Sequence, residues 1–337
     1  MAEPSIVVRN LSKTYRVPER EAGLAASLRS LARRAYRDVE AVREISFTVD
    51  PGEMVGFIGP NGAGKTTTLK MLSGLLHPTS GEARVLGSTP WERKAEYLRR
   101  ISMVLGNKSQ MLWDIPPLDT FRVLGEIYRV PPDELDRTLD ELVDLLEMAD
   151  LLSKPVRNLS LGERMKCELV AGLLHRPEVL FLDEPTLGLD VSMQGRLRRF
   201  LAGYNQRSGV TVILTSHYMA DVVALCPRVI LIHHGQLLYD DKLEGLARQL
   251  APFKLIRVAL RSVQPGNDPA RSGHDLALPP GVDVVEREDG RLTLRVARSE
   301  APSLTAHLLN TLPVADLAVE DPPIEAVIDQ IYQAGSA

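Results

Sequence analysis

A glycine-rich segment of the sequence, from Gly59 to Thr67, fits the phosphate-binding template G-x-x-x-x-G-K-[ST]. It lies between an apolar run at 54–58, which predicts a short buried strand, and a leucine pattern at 67–75, which predicts a helix. At such a turn, backbone N–H groups can surround an anion, and the helix dipole adds positive potential. Lys65 can reach the outer phosphates, which leaves Thr66 to hold Mg²⁺. The candidate phosphate-binding residues are Gly59, Pro60, Asn61, Gly62, Ala63, Gly64, Lys65, Thr66 and Thr67.

A second apolar run, at 179–182, is typical of a central parallel strand and ends in the adjacent carboxylates Asp183 and Glu184. The carboxyl ends of such strands face the crevice in which α/β sheets bind ligands. One carboxylate can enter the magnesium shell, while the other orients or deprotonates an attacking water, as phosphoryl transfer requires. The alternative is a solvated strand end without a catalytic role.

Between these two segments lies Leu-Ser-Leu-Gly-Glu, at 159–163. Ser160 and Glu163 have the spacing of a capping box, which predicts the start of a helix. The same residues resemble the LSGGQ signature of the ATP-binding-cassette (ABC) ATPases, which in that family also precedes the strand with the carboxylate pair. The resemblance covers about residues 6–250.

The resemblance implies roles for further residues. Tyr15 matches the aromatic residue that stacks on adenine, although an exposed strand tyrosine is the alternative. Asp190 matches the loop that crosses the dimer interface, and His217 matches the switch histidine at the γ-phosphate. Glu184 matches the residue that acts on the attacking water, and Asp183 with Thr66 matches the magnesium site. The signature residues, which bind the ATP held by the partner subunit, are Ser160, Leu161, Gly162 and Glu163.

One position of the family pattern is ambiguous. ABC ATPases carry a glutamine after a strand in the middle of the domain, where it contacts Mg²⁺ and the attacking water. Counting back from Trp113 and Asp114 places Asn107 at that position, whereas Gln110 has the matching residue type. Asn107 is one methylene shorter, so we expect it to act through a water molecule. Both residues stay candidates.

The composition limits the class of protein. The 337 residues include 25% charged and 44% hydrophobic residues, without an apolar stretch near 18 residues or a basic and apolar leader at Met1, so we expect a chain that does not cross a membrane. Cys167 and Cys226 have neither metal-site spacing nor a disulfide framework, as in cytoplasmic proteins. A net charge of −4 gives no sign of nucleic-acid binding.

The pattern along the chain predicts an ABC ATPase domain at 1–250, with a helical subdomain at about 91–165, and a small α+β domain at 253–337. An insertion at about 18–40 carries leucines at helical spacing and clustered arginines, including Arg29, Arg33 and Arg34. A basic amphipathic helix there could contact a membrane surface or a partner, and a solvated surface helix is the alternative. The C-terminal domain could dock or dimerise, or it could sense a ligand.

Together these features predict an α/β fold: a P-loop NTPase of ABC type with a RecA-like core, an antiparallel β subdomain and a helical subdomain, followed by the small C-terminal domain. The resemblance implies a subunit that hydrolyses ATP with Mg²⁺ as a dimer with a second ATPase subunit, expected to be a second copy. It would bind transmembrane permeases peripherally, at the cytoplasmic face of the inner membrane, and drive export. The alternatives are an ABC ATPase that acts on nucleic acid or the ribosome, and a nucleotide sensor with little turnover.

Overall fold

The computed structural model describes residues 3–18, 36–106, 108–216, 218–251, 253–260, 278–288, 290–324 and 326–328. The predictions for Asn107, His217 and residues 19–35 of the insertion lie outside these residues. The chain divides into two compact units, Met1–Lys242 and Leu243–Ala337. No helix of the described part is both long and apolar enough to span a bilayer.

The first unit alternates strands and helices. In chain order its elements are β1 (Ile6–Pro18), β2 (Tyr36–Val49), β3 (Met54–Ile58), α1 (Lys65–Leu72), β4 (Ser80–Val85), α2 (Ala95–Arg100), β5 (Ile101–Leu105), α3 (Pro117–Tyr128), α4 (Pro132–Leu146), α5 (Leu161–Leu173), β6 (Val179–Asp183), α6 (Val191–Ser208), β7 (Thr211–Thr215), α7 (Met219–Leu225), β8 (Arg228–His233) and β9 (Gln236–Lys242). Short 3₁₀ helices lie at Pro90–Glu92, Ala149–Leu151 and Val156–Asn158.

A six-stranded sheet with the order β5-β6-β7-β3-β8-β9 forms the centre of this unit. All neighbouring pairs are parallel except β8 and β9. Every residue of β3, β6 and β7 is buried, because both faces of these strands are covered. This explains the apolar sequences of β3, of β6 before Asp183 and of β7 between Thr211 and Thr215. Because the strands are parallel, their carboxyl ends lie at one edge of the sheet.

A second, antiparallel sheet has the order β2-β1-β4. β1 pairs with β2 from Ile6 opposite Val49 to Pro18 opposite Tyr36, with register shifts between Val8 and Thr14. Residues 36–40, at the end of the predicted helical insertion, are therefore strand rather than helix. Their backbone continues the pairing with β1, and the Arg16 guanidinium lies 4.6 Å from the centre of the Tyr36 ring.

Helices α3, α4 and α5 follow β5 in the chain and pack against one another. The face of α4 that carries Leu135, Leu139, Leu142 and Leu146 is buried, as its helical spacing predicts. α5 then leads directly into β6, so the helix that begins at Ser160 is tied to the strand that ends at Asp183.

The second unit contains α8 (Leu243–Leu250), β10 (Phe253–Leu260), β11 (Asp283–Glu288), β12 (Arg291–Ala297), α9 (Ala301–Thr311) and β13 (Val314–Glu320). Its four strands form an antiparallel sheet with the order β11-β12-β10-β13. One face of the sheet packs against α9 in a separate apolar core that includes Ile256, Val258, Leu292, Leu294, Leu304 and Leu308. This unit is thus a small α+β domain with its own core.

Candidate functional site

The phosphate loop follows β3 and is pressed closely against neighbouring backbone. Gly62 and Gly64 have left-handed φ values of 80° and 108°, which favour glycine. A Cβ atom at Gly64 would lie 2.4 Å from the Ala41 carbonyl oxygen, and one at Gly59 would lie 2.2 Å from the Ile232 carbonyl oxygen. The loop therefore depends on these glycines both for its turns and for its fit against β2 and β8.

Lys65 begins α1 and is 5% exposed. Its ammonium donates hydrogen bonds to the carbonyl oxygens of Gly59, at 2.7 Å, and Pro60, at 3.0 Å. Burial lowers the pKa of Lys65, while the negative charges of Glu184 and Asp183 raise it. The ammonium thus lies at the phosphate loop, within the electrostatic influence of both carboxylates.

Asp183 ends β6 and faces two hydroxyl donors. Its carboxylate accepts hydrogen bonds from the Thr66 hydroxyl, at 2.9 and 3.0 Å, and from the Thr215 hydroxyl, at 2.7 Å. Thr66 and Asp183 therefore meet between the phosphate loop and the sheet edge. Mg²⁺ at phosphate sites usually takes one or two protein oxygens and completes its shell with phosphate and water, so these two residues fit such an ion.

Glu184 follows directly and has a left-handed φ of 55°. Its amide donates to the carbonyl oxygen of Thr215, at 3.0 Å, and to the Thr215 hydroxyl, at 3.1 Å. A left-handed conformation is uncommon for residues other than glycine, and such strain concentrates at functional sites. Thr215 therefore fixes the backbone of Glu184 as well as the side chain of Asp183.

A second polar cluster lies next to these residues. Asp221 of α7 is fully buried, and its carboxylate accepts hydrogen bonds from the hydroxyls of Thr186 and Ser216, the latter at 2.9 Å. A guanidinium nitrogen of Arg198 lies 3.4 Å from the same carboxylate. Thr186 is two residues after Glu184, and Ser216 is the residue before His217. Asp221 therefore joins two segments that are next in the chain to these catalytic candidates.

The signature segment forms the start of α5. Ser160 is the N-cap: its hydroxyl accepts from the Glu163 amide at 3.3 Å, and the Glu163 carboxylate accepts from the Ser160 amide at 2.7 Å. The capping box predicted from the sequence is therefore present. Leu161 is exposed, and its side chain lies 2.9 Å from where a Cβ atom of Gly188 would be. The signature thus contacts the loop that contains Asp190.

Gly162 and Asp190 occupy the adjoining part of this surface. A Cβ atom at Gly162 would lie 3.1 Å from the Met193 side chain. Asp190 is the N-cap of α6, and its carboxylate accepts a hydrogen bond from the Met193 amide at 2.9 Å. Tyr15 lies on β1, in the antiparallel sheet. It is 36% exposed, and the Lys13 ammonium lies 5.4 Å from the centre of its ring.

The loop after β5 contains Gln110, the candidate chosen by residue type. Its backbone amide donates to both carboxylate oxygens of Glu168, at 3.1 Å each. Its side-chain nitrogen is buried and has no hydrogen-bond partner among the residues that the structure describes. Gly106, at the start of the loop, donates its amide to the Asp183 carbonyl oxygen at 2.8 Å. The loop is thus joined to β6 at one end and to α5 at the other.

Sequence reasoning missed four side chains of this site: Glu168, Thr186, Thr215 and Asp221. Each acts on residues far away in the chain, so no local spacing marks it. The only signal in the sequence was residue type: Asp221 and Glu168 are acidic residues that interrupt apolar helical patterns.

Comparison with known proteins assigns two segments of the chain to families. Residues 42–187 match the ABC transporter family, and residues 252–320 match the family described as EvrA-like ABC transporter, C-terminal domain. The chain is 35% identical over 208 residues to the ABC transporter ATP-binding protein NatA of Bacillus subtilis (strain 168). The matched region covers 62% of this chain and 84% of NatA. It is 30% identical over 307 residues to the linearmycin resistance ATP-binding protein LnrL of the same organism. This matched region covers 87% of the present chain and 94% of LnrL.

Among solved structures, the fold resembles the dimeric ATP-binding cassette MJ0796 in a post-hydrolysis state with ADP and Pi. The TM-score is 0.59 at 22% identity, over 71% of this chain and 98% of that one. The predicted cassette fold is therefore confirmed.

Proposed function

Because the chain belongs to the ATP-hydrolysing subunits of ABC transporters, we propose that it hydrolyses Mg²⁺-bound ATP between two head-to-tail copies and drives export through separate permeases. The observation that carries this proposal is the meeting of Thr66 and Asp183 beside the buried Lys65, with Glu184 as the next residue. This arrangement brings a phosphate-binding cation, two oxygen ligands for a metal and a candidate base to one edge of the sheet.

Each residue has a distinct proposed part in the reaction. Lys65 binds the outer phosphates, and the backbone of the phosphate loop surrounds them. Thr66 and Asp183 hold Mg²⁺, which when bound neutralises charge on the phosphate oxygens. Glu184 orients the attacking water and accepts its proton, held in place by the contact of its amide with Thr215. Tyr15 offers its ring to adenine, and His217 would contact the γ-phosphate.

The signature and the Asp190 loop form the proposed surface for the second copy. Ser160, Leu161 and Gly162 would bind the ATP held by the partner, because the N-terminus of α5 presents positive potential beside an exposed hydroxyl. Nucleotide bound in this way favours the closed dimer through contacts that exist only there, and hydrolysis releases them.

The relatives support the proposed direction of transport and the proposed location. LnrL is named for resistance to linearmycin, which favours export of a compound from the cell. Permeases lie in the membrane, so we place this subunit peripherally at the cytoplasmic face of the inner membrane. The arginines of the insertion, Arg29, Arg33 and Arg34, would contact the permease or anionic headgroups there. The alternative that the chain acts on nucleic acid gains no support from the comparisons.

The Glu184→Gln variant tests the proposed chemistry. In a complex isolated from membranes with the permeases that copurify, we expect ATP binding to persist while turnover falls by about 10² to 10⁴. The control is Glu178→Gln, which changes a carboxylate that pairs with Arg100 at the protein surface. An unchanged rate in Glu184→Gln would show that another group activates the water. Copurification with ribosomes or nucleic acid instead of membrane proteins would overturn the transport function.

A further inference from the structure

Glu168 is a buried carboxylate on α5 that receives all its described hydrogen bonds from one short loop. It is 4% exposed and lies eight residues after Ser160 in the signature. Besides the Gln110 amide, it accepts hydrogen bonds from the Ser109 hydroxyl and from the Met111 amide, the latter at 3.4 Å. Three consecutive residues of the loop thus bind to a single side chain of the helix.

This arrangement is stable only while the loop stays on the helix. A buried carboxylate costs free energy unless it is hydrogen-bonded, and buried amides likewise need acceptors. If the loop moved away, Glu168 would lose its partners and the Gln110 amide would lose its acceptor, whereas the Met111 amide would keep its hydrogen bond to the Ser109 hydroxyl, at 3.1 Å. The contact therefore favours movement of the loop and α5 together over movement of either one alone.

The contact between Glu168 and the loop connects the proposed phosphate site to the signature segment. At one end, Gly106 binds the backbone of Asp183, whose side chain contacts Thr66 in the phosphate site. At the other end, α5 begins at Ser160, which presents the signature to the second copy. Glu168 closes the link between them.

We propose that Glu168 is a positioning residue for ATP hydrolysis: it fixes residues 109–111 to the signature helix, so that the loop beside one nucleotide and the signature that binds the other move as one body. This inference rests on the proposed function, because it needs a dimer that hydrolyses ATP. It gives a role to a residue outside the phosphate loop, the carboxylate pair and the signature motif.

The experiment compares Glu168→Ala with Thr138→Ala in the complex purified from membranes. Thr138 is a suitable control because it is also buried, lies on α4 and accepts a hydrogen bond from Arg176 at 3.1 Å, without touching the loop. We expect Glu168→Ala to lower kcat by about 10- to 100-fold, as for other small misplacements of reacting groups, and to leave the KM for ATP within about twofold. Glu168→Gln, which keeps one acceptor oxygen, should recover part of the rate.

A double-mutant cycle and hydrogen exchange separate positioning from general stability. Ser109→Ala should lower kcat less than Glu168→Ala, and the double variant should be no slower than Glu168→Ala, because the two residues act through one contact. The Gln110 amide, whose described acceptors are the two carboxylate oxygens of Glu168, should exchange faster in Glu168→Ala than in Thr138→Ala. Equal exchange in these two variants, or equal kcat, would overturn the role of Glu168. A parent complex without ATPase activity would instead overturn the proposed function.

Discussion

Thr215 holds both carboxylate residues at the end of β6. Its hydroxyl donates to the Asp183 side chain at 2.7 Å and accepts from the Glu184 amide at 3.1 Å. Because one hydroxyl binds both the Asp183 side chain and the Glu184 backbone, it fixes the position of one relative to the other. The separation of the proposed metal ligand from the proposed base therefore depends on a residue that contacts neither phosphate nor water in our mechanism.

Thr215→Val should lower kcat even under conditions in which the variant is fully folded. Valine has nearly the same shape but cannot form either hydrogen bond, so we expect a loss of about 1 to 3 kcal/mol in stability and about tenfold in kcat. The matched control is Thr211→Val on the same strand, where the hydroxyl binds the Gly52 amide at 3.0 Å, away from the carboxylates. Denaturant unfolding and ATPase assays of both variants would check this. Equal activity in the two variants would contradict it.

The stability of the parent chain should depend on the ionisation of Glu168. Burial raises the pKa of this carboxyl in the folded chain, while donors from Ser109, Gln110 and Met111 lower it. The stabilisation from the protonated form is complete below the unfolded-state pKa, about 4.3 for glutamate, and is lost as pH rises through the folded-state pKa. The side chain of Glu168→Gln cannot titrate. Relative to this variant, the parent should therefore lose stability as pH rises from the unfolded-state pKa through the folded-state pKa of Glu168.

Denaturant unfolding at a series of pH values would measure this difference. Glu178 provides a control of opposite sign, because its hydrogen bond to Arg100 lowers the pKa of the Glu178 carboxyl. Relative to Glu178→Gln, the parent should lose stability as pH falls. A constant difference between the parent and Glu168→Gln over the whole series would show that the pKa of Glu168 is the same in the folded and the unfolded chain.

At the scale of elements, α5 begins with a segment that combines two roles. Ser160 and Glu163 cap the helix through reciprocal hydrogen bonds, and the same residues form the signature proposed to bind the partner's ATP. Capping uses the Ser160 oxygen as an acceptor, whereas a phosphate would require its hydroxyl proton as a donor. Both interactions can coexist, because a hydroxyl donates one hydrogen bond while it accepts another.

Substitutions of Ser160 can separate the two roles. Ser160→Ala should cost about 1 kcal/mol in the free energy of unfolding, because the cap is lost, and it should also reduce ATPase activity. Ser160→Asn should restore stability, because asparagine is a comparable N-cap, but we expect the activity to stay low since the hydroxyl is missing. Thermal unfolding and turnover of the assembled complex are the measurements. Recovery of full activity in Ser160→Asn would assign the segment a capping role alone.

Elements marked by a pattern of neighbouring residues could be predicted from the sequence, whereas elements held by distant residues could not. β3 and β6 were predictable because both lie inside the sheet and are apolar, β6 up to the carboxylate of Asp183 at its end. The extension of β2 before Ile45 was not predicted, since its residues are mostly exposed and charged and are held by pairing with β1 across the insertion. The phosphate loop was predictable from glycine spacing, but Asp221 was not, because its contacts with Thr186 and Ser216 exist only after the loops meet.

At the scale of the whole molecule, the two compact units have separate apolar cores. The first unit ends at Lys242, the last residue of β9, so its six-stranded sheet is complete without the second unit. The core of the second unit is built from β10, β12 and α9. This division suggests that folding of the nucleotide site does not depend on the C-terminal residues.

A chain that ends at Lys242 should therefore fold and bind ATP with an affinity close to that of the full chain. Its unfolding should remain cooperative, because no strand of the sheet is lost. Fluorescent nucleotide titration and denaturant unfolding of both chains would check this, with Lys65→Ala in the shortened chain as the control for specific binding. An aggregated or unfolded product would show that the second unit stabilises the first.

Pro18 and Tyr36 are paired across the antiparallel sheet, so the two residues that flank 19–35 lie side by side. The cost of closing such a segment grows only slowly with its length. A peptide tag or a small reporter domain inserted between Pro18 and Tyr36 should therefore leave the residue pairs of β1 and β2 intact.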